Sequence, residues 1–372
     1  MHLKSLQLIQ FKNYPKAKVT FSEEINCFLG INGSGKTNLL DAIHYMCLTK
    51  SAFNSVDMQN IQHEQSFFSM KGSFEKAGKY IEIQCILEAK KKKQILNNAK
   101  AYDKMSEHIG LLPVVLIAPD DTALIKEGSE ERRKFFDSLL SQLDKNYLSN
   151  LVRYQHFLKQ RNALIKQLAE HNSRDKSILE PYDLELINLS KWIHEERKVF
   201  IERFEPYLLH HYAEISGQRE AVEIRYESQC AADDFEKQFY NSIQKDLILK
   251  RTNVGIHKDD FVFQIDGYPL KKFGSQGQQK SFVIALKLAQ FQVFKEETGT
   301  KPILLLDDIF DKLDDYRISK MMELVANHEF GQLFITDARP ERTINILKNI
   351  DADIAYFDIE KGNIKIRQKT LD

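Results

Sequence analysis

The stretch Cys27-Phe28-Leu29-Gly30-Ile31-Asn32-Gly33-Ser34-Gly35-Lys36-Thr37-Asn38-Leu39-Leu40 decides the fold, because an apolar run passes through a glycine-rich turn into a helical pattern. The segment from Gly30 to Thr37 fits the phosphate-loop pattern G-x-x-x-x-G-K-[ST] at every fixed position. Glycines allow backbone angles that a Cβ forbids, so several N–H groups of such a turn can point at one phosphate. The positive end of the following helix strengthens this anion site.

Each residue type in this stretch suits the binding of a nucleoside triphosphate. Lys36 is expected to reach the β- and γ-phosphates, and the Thr37 hydroxyl is expected to bind Mg²⁺. The alternative is a glycine-rich turn that merely precedes Lys-Thr, and the apolar residues on both sides of the turn disfavour it. The predicted nucleotide-binding residues of the loop are Gly30, Ile31, Asn32, Gly33, Ser34, Gly35, Lys36 and Thr37.

The bulk composition is that of a folded protein with a sizeable core. A length of 372 residues suggests two domains, or one large domain with an insertion. The hydrophobic content of 42% and the charged content of 28% are an ordinary soluble balance. Lys plus Arg and Asp plus Glu both number 53, so the net charge is zero and any nucleic acid must be bound by a local patch.

The cysteines and the apolar runs predict a cytoplasmic protein without a membrane partner. The cysteines are far apart and lie among apolar neighbours, which favours reduced thiols over disulfides or zinc. No apolar run reaches the length of a membrane span, and the N-terminus lacks the apolar core of a signal peptide. The cysteines are Cys27, Cys47, Cys85 and Cys230.

Periodicity along the chain predicts strand-rich segments on both sides of a charge-rich helical insertion, as in an α/β protein. The apolar run 111–118 has the pattern of a buried central strand, and residues 66–90 have that of a hairpin. Strands are also expected at 3–11, 17–29, 222–227, 261–265, 331–336 and, as a terminal hairpin, 353–367. Helices are expected at 36–48, across 128–215, and at 232–249, 280–297 and 316–327. The predicted domains are an N-terminal ATPase half at 1–126, an inserted helical domain at 127–250 and a C-terminal ATPase half at 251–372.

The inserted segment has the pattern of two long helices that form a hairpin. Apolar residues near heptad spacing predict a stripe that packs in the core, with some coiled-coil character, and the hairpin is too short for an extended arm. Two sets of basic residues are predicted to be solvated, with contact to DNA phosphates as the alternative. These sets are Arg153, Lys159, Arg161 and Lys166 in the insertion, and the turn from Lys90 to Lys93.

A second catalytic element follows the insertion. Ile303-Leu304-Leu305-Leu306 ends in Asp307-Asp308, which is the form of a Walker B strand. Asp307 is expected to hold Mg²⁺ through water, together with Thr37. Asp308 is expected to orient or deprotonate the attacking water, so Asp308 and Lys36 are the predicted catalytic residues. Buried strands that end in acidic residues are common, so the interpretation of this segment as a Walker B strand depends on the presence of the phosphate loop.

A third element lies between them, at Phe273-Gly274-Ser275-Gln276-Gly277-Gln278-Gln279-Lys280. It opens a helix with Ser275 near the N-cap and small residues that permit close backbone approach. It resembles the signature loop of ATP-binding-cassette (ABC) ATPases, which caps the γ-phosphate held by the other protomer. The resemblance implies nucleotide contacts from Ser275, Gly277 and Gln278, and the alternative is a plain polar helix cap.

The order of these motifs resembles that of the ABC superfamily, and two later segments extend the comparison. Phe310-Asp311-Lys312-Leu313-Asp314 resembles the D-loop of that superfamily. The switch position, which normally carries histidine, holds Thr336 and Asp337. The resemblance therefore implies slow hydrolysis without a histidine that senses the γ-phosphate.

The opening strand narrows the resemblance to the SMC, Rad50 and RecF class. Residues 6–14 resemble its first strand, which implies that Lys12 and Asn13 approach the nucleotide. Departures are Lys280-Ser281 after the signature and a Ser-Glu-Glu stretch where the RecF family often has proline. Motifs similar to those of the RecF family lie at 119–122, 128–137, 160–162, 255–260 and 275–280. The expected fold is an ABC-type P-loop ATPase head, Rad50/SMC-like, with an inserted helical domain.

The resemblance to the RecF family also implies a function. ATP with Mg²⁺ would hold two copies as a homodimer on duplex DNA beside single-stranded gaps. Hydrolysis, slow and dependent on DNA, would release this clamp. Such proteins act in DNA replication, gap repair and recombination, and with RecO and RecR they help RecA replace single-strand binding protein.

Three other classes fit the sequence less well. An SMC- or Rad50-type architectural ATPase needs hundreds of heptad residues between its halves, and the span from Thr37 to Ser275 is shorter and much of it is not heptad. A transporter subunit predicts a signature nearer the phosphate loop and a switch histidine. A simple kinase does not need the Ser275 loop.

Overall fold

The computed structural model describes residues 1–171, 175–217, 220–311, 315–327 and 329–367. Contacts divide the chain into two compact units. The first unit, the nucleotide unit, comprises Met1–Asp121 and Gln290–Asp372, and the second, the helical unit, comprises Thr122–Ala289.

The strands and helices follow in chain order. The strands are β1 (His2–Phe11), β2 (Tyr14–Thr20), β3 (Ile25–Leu29), β4 (Phe67–Lys76), β5 (Lys79–Glu88), β6 (Gln94–Asn97), β7 (Lys100–Ala101), β8 (Val114–Ile117), β9 (Val222–Glu227), β10 (Asp260–Ile265), β11 (Tyr268–Pro269), β12 (Ile303–Leu306), β13 (Leu333–Asp337), β14 (Ile354–Glu360) and β15 (Asn363–Ile366). The helices are α1 (Lys36–Leu48), α2 (Ala123–Lys126), α3 (Ser129–Leu143), α4 (Lys145–Glu170), α5 (Glu180–Ser216), α6 (Phe235–Asn241), α7 (Ile243–Leu249), α8 (Leu270–Phe273), α9 (Gln276–Thr298), α10 (Asp315–Ala326) and α11 (Pro340–Leu347). Within these described elements, no helix has both the length and the hydropathy needed to cross a bilayer.

A mixed sheet in the nucleotide unit positions the candidate site. Its strand order is β15-β14-β3-β13-β12-β8, and every neighbouring pair except β14 with β15 is parallel. The carboxyl ends of β3, β13 and β12 therefore lie side by side at one edge, where open parallel sheets bind ligands. The phosphate loop follows β3, and Asp307 follows β12, so two motifs far apart in sequence meet there.

A second, antiparallel sheet completes the nucleotide unit, with the order β2-β1-β4-β5-β6-β7. The predicted hairpin over 66–90 is confirmed as β4 and β5, whose buried residues alternate along each strand. Helix α1 contacts strands of both sheets, so the helix that carries Lys36 is held in the core. Buried aromatic rings with centroids 5.0 to 6.0 Å apart pack beneath the phosphate loop: Phe21, Phe28, Phe334 and Phe357.

The helical unit is built on the predicted helix hairpin. Helices α4 and α5, of 26 and 37 residues, pack against each other. A small antiparallel sheet with the order β11-β10-β9 belongs to the same unit. Because β10 pairs with β9, and the first turns of α9 also belong here, this unit extends to Ala289. The domain boundaries predicted at residues 126 and 250 stay predictions.

Three predicted elements differ from the observed ones. The single strand predicted at 17–29 is two strands in different sheets, because Ser22 and Asn26 exchange backbone–side-chain hydrogen bonds that turn the chain. The helix predicted at 232–249 is divided at Ser242, whose hydroxyl donates to the Phe239 carbonyl. The strand predicted as central at 111–118 is buried, but it lies at the edge of its sheet beside β12.

Burial also corrects the interpretation of two basic residues as solvated. Arg161 is 1% exposed and donates to Asp183 and Asp246, at 2.5 and 2.7 Å. It lies one and two helical turns before the buried Ile165 and Leu168, so it faces the core. Lys93 donates to the Asp57 carboxylate at 2.6 Å and to the Thr49 carbonyl. Arg153, Lys159 and Lys166 are exposed, as predicted.

The buried ion pairs of Arg161 predict a large difference between two arginines of α4. Arg161→Ala leaves the carboxylates of Asp183 and Asp246 buried without their cation, which costs about 3–5 kcal/mol of unfolding free energy. Arg153→Ala breaks only an exposed pair with Glu185 and costs less than about 1 kcal/mol. Urea denaturation followed by circular dichroism measures both values. Equal losses for the two variants would contradict the assignment of Arg161 to the core.

Candidate functional site

The phosphate loop has the backbone that its glycines predict. Gly33 and Gly35 have φ angles of 78° and 117°, in the left-handed region that favours glycine. Gly35 is the N-cap of α1 and supplies no side-chain cap, so the first N–H groups of the helix can face an anion. Lys36 is buried, with 4% of the residue exposed, and its ammonium group donates to the carbonyls of Gly30 and Ile31 at 2.9 and 3.2 Å.

Residues at the turn between β1 and β2 form hydrogen bonds with the phosphate loop. Asn13 donates from its side-chain amide to the Ser34 carbonyl at 3.1 Å and accepts from Asn38 at 2.8 Å. Tyr14 donates its hydroxyl to the Gly35 carbonyl at 2.9 Å, and burial raises the pKa of this hydroxyl so that it stays a donor. Tyr14 was not among the predicted site residues, and its only signal in the sequence is an aromatic residue directly after Asn13.

Lys12 and Asn13 were predicted together, but they have different surroundings. Asn13 contacts the phosphate loop. Lys12 is nearly buried and lies 2.6 Å from the Asp41 carboxylate of α1, which also accepts from the Ser51 hydroxyl and the Ala52 N–H. Lys12 thus joins β1 to α1 behind the loop, and its contact with a nucleotide stays a prediction.

The carboxylate of Asp307 is the centre of the site. The Thr37 hydroxyl donates to its two oxygens at 2.9 and 3.2 Å, and the Thr336 hydroxyl donates to Oδ1 at 2.8 Å. Burial raises the pKa of Asp307, and the nearby Asp308 adds to this effect, whereas the two hydroxyls lower it. A cation at this carboxylate would relieve the cost of its burial.

Asp308 is the second acid, and its backbone is unusual. Its φ angle of 43° is uncommon for a residue with a side chain, and its N–H donates to the Thr336 hydroxyl at 2.8 Å. Its Oδ1 atom is inaccessible and has no hydrogen-bond partner among the described residues, and the same is true of the Ser34 hydroxyl in the loop. Buried polar atoms that lack protein partners fit a site completed by a ligand and water.

The donor set fits Mg²⁺ and a polyphosphate. Mg²⁺ prefers a few protein oxygens at octahedral positions and keeps waters and phosphate oxygens in the others. Thr37 and Asp307 supply a hydroxyl and a carboxylate within hydrogen-bond distance of each other. Lys36 and the start of α1 supply positive charge beside them.

The two residues at the switch position, Thr336 and Asp337, form hydrogen bonds within the protein. Thr336 lies at the end of β13, between β3 and β12, so it reaches both acids of the Walker B pair. Asp337 accepts from Arg342 at 2.6 Å and from Thr343 at 2.6 Å. Although burial acts to raise the pKa of Asp337, these hydrogen bonds lower it overall. The support that Thr336 gives Asp307 was missed, because sequence does not show which strand lies between two others.

The signature residues lie in the helical unit. Ser275 is exposed and directly precedes α9, as predicted. Its hydroxyl accepts from the Gln278 N–H at 3.3 Å, and its own N–H donates to the Gln278 side chain at 2.7 Å. This pair is a capping box. Gly277 is the second residue of α9, and Lys312, Leu313 and Asp314 of the D-loop lie outside the described residues.

Comparison with known proteins decides the family. Residues 2–357 match the family of the RecF/RecN/SMC N terminal domain. The chain is 48% identical, over 98% of its length, to the DNA replication and repair protein RecF of Cytophaga hutchinsonii, of which 97% is covered. It is also 48% identical, over 96% of its length, to the whole of that protein from Flavobacterium johnsoniae. The chain belongs to the RecF family.

Solved structures agree with this membership. The recombination mediator protein RecF-ATPrS in the RecFOR pathway has a TM-score of 0.89 and 29% identity, with 99% of this chain and 98% of that chain covered. An Smc head domain from Pyrococcus furiosus has a TM-score of 0.56 and 19% identity, with 98% and 96% covered, and shows the fold alone. The predicted ABC-type ATPase head of the RecF and SMC kind is confirmed.

The geometry of the loop predicts a strong effect of one added methyl group. A Cβ on Gly35 would collide with the amide of Asn13, and its φ angle is unfavourable for alanine. Gly35→Ala is therefore expected to lower ATP affinity by more than about tenfold, which corresponds to about 1.4 kcal/mol. Isothermal titration with ATP and Mg²⁺ measures this change.

The matched control for Gly35→Ala is Gly128→Ala. Gly128 has open space around its Cβ position and a φ angle of −76°, which any residue adopts. This variant is expected to bind ATP as the parent chain does. If Gly35→Ala binds equally well, then the loop does not hold the phosphates in the way described.

Proposed function

We propose that the chain binds ATP with Mg²⁺ and, when loaded, joins a second copy into a clamp on DNA. One observation carries the proposal: Thr37 and Asp307, from distant parts of the sequence, share a hydrogen bond at the mouth of the phosphate loop. The ATP in a related RecF structure, at 29% identity and a TM-score of 0.87, supports the choice of nucleotide. Membership in the RecF family supports a role in DNA replication and repair.

Different residues at the phosphate loop would bind different parts of ATP and its Mg²⁺. Backbone N–H groups from Gly33 to Thr37 would cradle the phosphates, and Lys36 would leave its carbonyl partners to reach the β- and γ-phosphates. Thr37 would ligate Mg²⁺ directly, and Asp307 would hold it through water. The metal neutralises phosphate charge when bound. Asn13 and Tyr14 would keep the loop in the shape that binds.

Dimer formation would use the signature of one copy against the loop of the other. Ser275 is exposed at a helix start, which is a site suited to an anion such as a γ-phosphate. Two copies related by a two-fold axis would each contribute a loop and a signature, and would bury two nucleotides between them. Because ATP would then bind the dimer more tightly than the single chain, dimer stability depends on ATP by linkage.

The rate of ATP hydrolysis would determine how long the dimer stays closed on DNA. Asp308 has a buried oxygen without a protein partner among the described residues, and this atom is suited to orient the attacking water. Thr336 at the switch position holds Asp307 and leaves no histidine there, so turnover is expected to be slow. DNA is expected to accelerate it.

The DNA partner would be a duplex beside a single-stranded gap. We propose that the chain works there with RecO and RecR, so that RecA replaces single-strand binding protein. The support is the RecFOR pathway of the related structures and the replication and repair role of the relatives. Work on the bacterial chromosome also favours a cytoplasmic location.

An SMC-type architectural role is the second candidate, since the Smc head has the same fold. That role needs long coiled-coil arms between the halves of the head. Here the segment holds a helix hairpin of 26 and 37 residues within a compact unit. The hairpin therefore favours the clamp.

Sedimentation velocity with and without ATP and gapped DNA tests the clamp. The expected result is a single chain alone and a dimer with ATP, strengthened by DNA. Ser275→Arg places a large cation where the other copy must approach, so this variant is expected to bind ATP normally and remain a single chain. If its ATP-dependent dimers persist, then the signature does not close on a partner's nucleotide.

Asp308→Asn tests the role of the second acid. The amide keeps the size of the side chain but cannot accept a proton from water, so hydrolysis should fall by about 10²-fold or more. ATP binding and dimer formation should persist, so the dimer should stay longer on DNA. Phosphate release and fluorescence of labelled gapped DNA measure the two effects, and unchanged turnover would remove Asp308 from catalysis.

A further inference from the structure

The signature serine is the last member of a chain of hydrogen bonds that begins on α5. Tyr212 donates its hydroxyl to Glu220 Oε2 at 3.1 Å. Glu220 Oε1 accepts from the Gln278 amide at 2.9 Å, and Gln278 Oε1 accepts from the Ser275 N–H at 2.7 Å. All four residues belong to the helical unit. The end of α5 is thus connected to Ser275 by side chains.

Gln278 is suited to this place because its side chain carries both an acceptor and a donor. The Ser275 N–H requires an oxygen at one end of the side chain, and the Glu220 carboxylate requires an N–H at the other end. A carboxylate in place of this amide would be repelled by the Glu220 carboxylate, and this repulsion would move it away from the Ser275 N–H. The amide of Gln278 therefore serves Ser275 and Glu220 at the same time.

The capping box also leaves the Ser275 hydroxyl able to donate a hydrogen bond. Its oxygen accepts from the Gln278 N–H, and a hydroxyl that accepts one bond can still donate its own hydrogen to another acceptor. A phosphate oxygen needs such a donor. The side chain of Gln278 would then act on the nucleotide through Ser275, and its own predicted contact with the nucleotide stays a prediction.

Glu220 is anchored on the far side by a packed helix. Tyr212 is buried on α5, and its ring lies 6.3 Å from that of Phe282 on α9. The carboxylate of Glu220 accepts one hydrogen bond on each oxygen, and a charged acceptor makes such bonds stronger than neutral ones. Both ends of the chain of hydrogen bonds thus rest on helices of one unit.

We infer that Glu220 and Gln278 are positioning residues, which hold Ser275 ready for the γ-phosphate of a second copy. The inference rests on the proposed dimer, but the positioning itself is a property of the single chain. Three variants separate these statements: Gln278→Glu, Glu220→Gln and the double variant. The double variant exchanges the two side chains and keeps the total charge.

Hydrogen exchange of the peptide that spans 274–280, without nucleotide, measures the positioning directly. Gln278→Glu is expected to speed its exchange about tenfold, because the repelled side chain leaves the Ser275 N–H, a loss of about one hydrogen bond. Glu220→Gln still accepts from Gln278, so its effect should be small. The double variant should restore slow exchange, since the amide that it places at position 220 can donate to the carboxylate at position 278, which in turn accepts from the Ser275 N–H.

Dimer formation with ATP should follow the same order. Gln278→Glu should weaken the dimer about tenfold, and the double variant should recover most of it, as a coupled pair does. A merely structural loss would lower the thermal stability of the helical unit and would not be rescued. Exchange and dimer values for the double variant no better than those of Gln278→Glu would overturn the inference. If the parent chain never dimerises, the proposed function is wrong, while the exchange rates still decide the positioning.

Discussion

The buried carboxylate of Asp307 is the constraint on which the nucleotide unit depends. Its oxygens accept hydrogen bonds from the hydroxyl groups of Thr37 and Thr336. Thr37 lies at the start of α1, after β3, and Thr336 lies near the end of β13. The neighbouring strands β3, β13 and β12 must therefore keep their register, because these hydrogen bonds form only when the three strand ends are correctly aligned. The parallel order of β3, β13 and β12 and the aromatic core beneath them provide that rigidity. The metal site proposed between these two distant motifs would need such a rigid base.

The same carboxylate reduces the stability of the nucleotide unit. Burial raises the pKa of Asp307, so the folded chain favours the protonated carboxyl group. The contribution of this group to the free energy of unfolding is therefore most favourable at low pH and is lost as the pH rises through the raised pKa. Asp308 adds a buried oxygen without a partner among the described residues and a φ angle of 43°. Sites for charged ligands commonly carry such costs, which the ligand offsets when it binds.

The helical unit uses its buried charges differently. Arg161 and Arg197 are both 1% exposed, and each is paired with two carboxylates, so each buried cation has ionic partners within the unit. Their role is structural. Ser275 is exposed at the start of α9 and forms a capping box with Gln278, whose side chain also donates to Glu220. The nucleotide unit thus has buried polar atoms without partners among its described residues, and the helical unit presents an exposed, capped serine.

The sequence by itself determined the phosphate loop, the Walker B strand, the signature helix and the helix hairpin, because local spacing and turn chemistry specify each of them. It could not determine strand order, so β8 was expected in the centre of its sheet and the support from Thr336 was missed. Nor could it show that Arg161 is buried, since a charged residue on an apolar stripe looks the same in sequence as one in solvent. Tertiary packing decided these features, because they depend on which distant segments become neighbours.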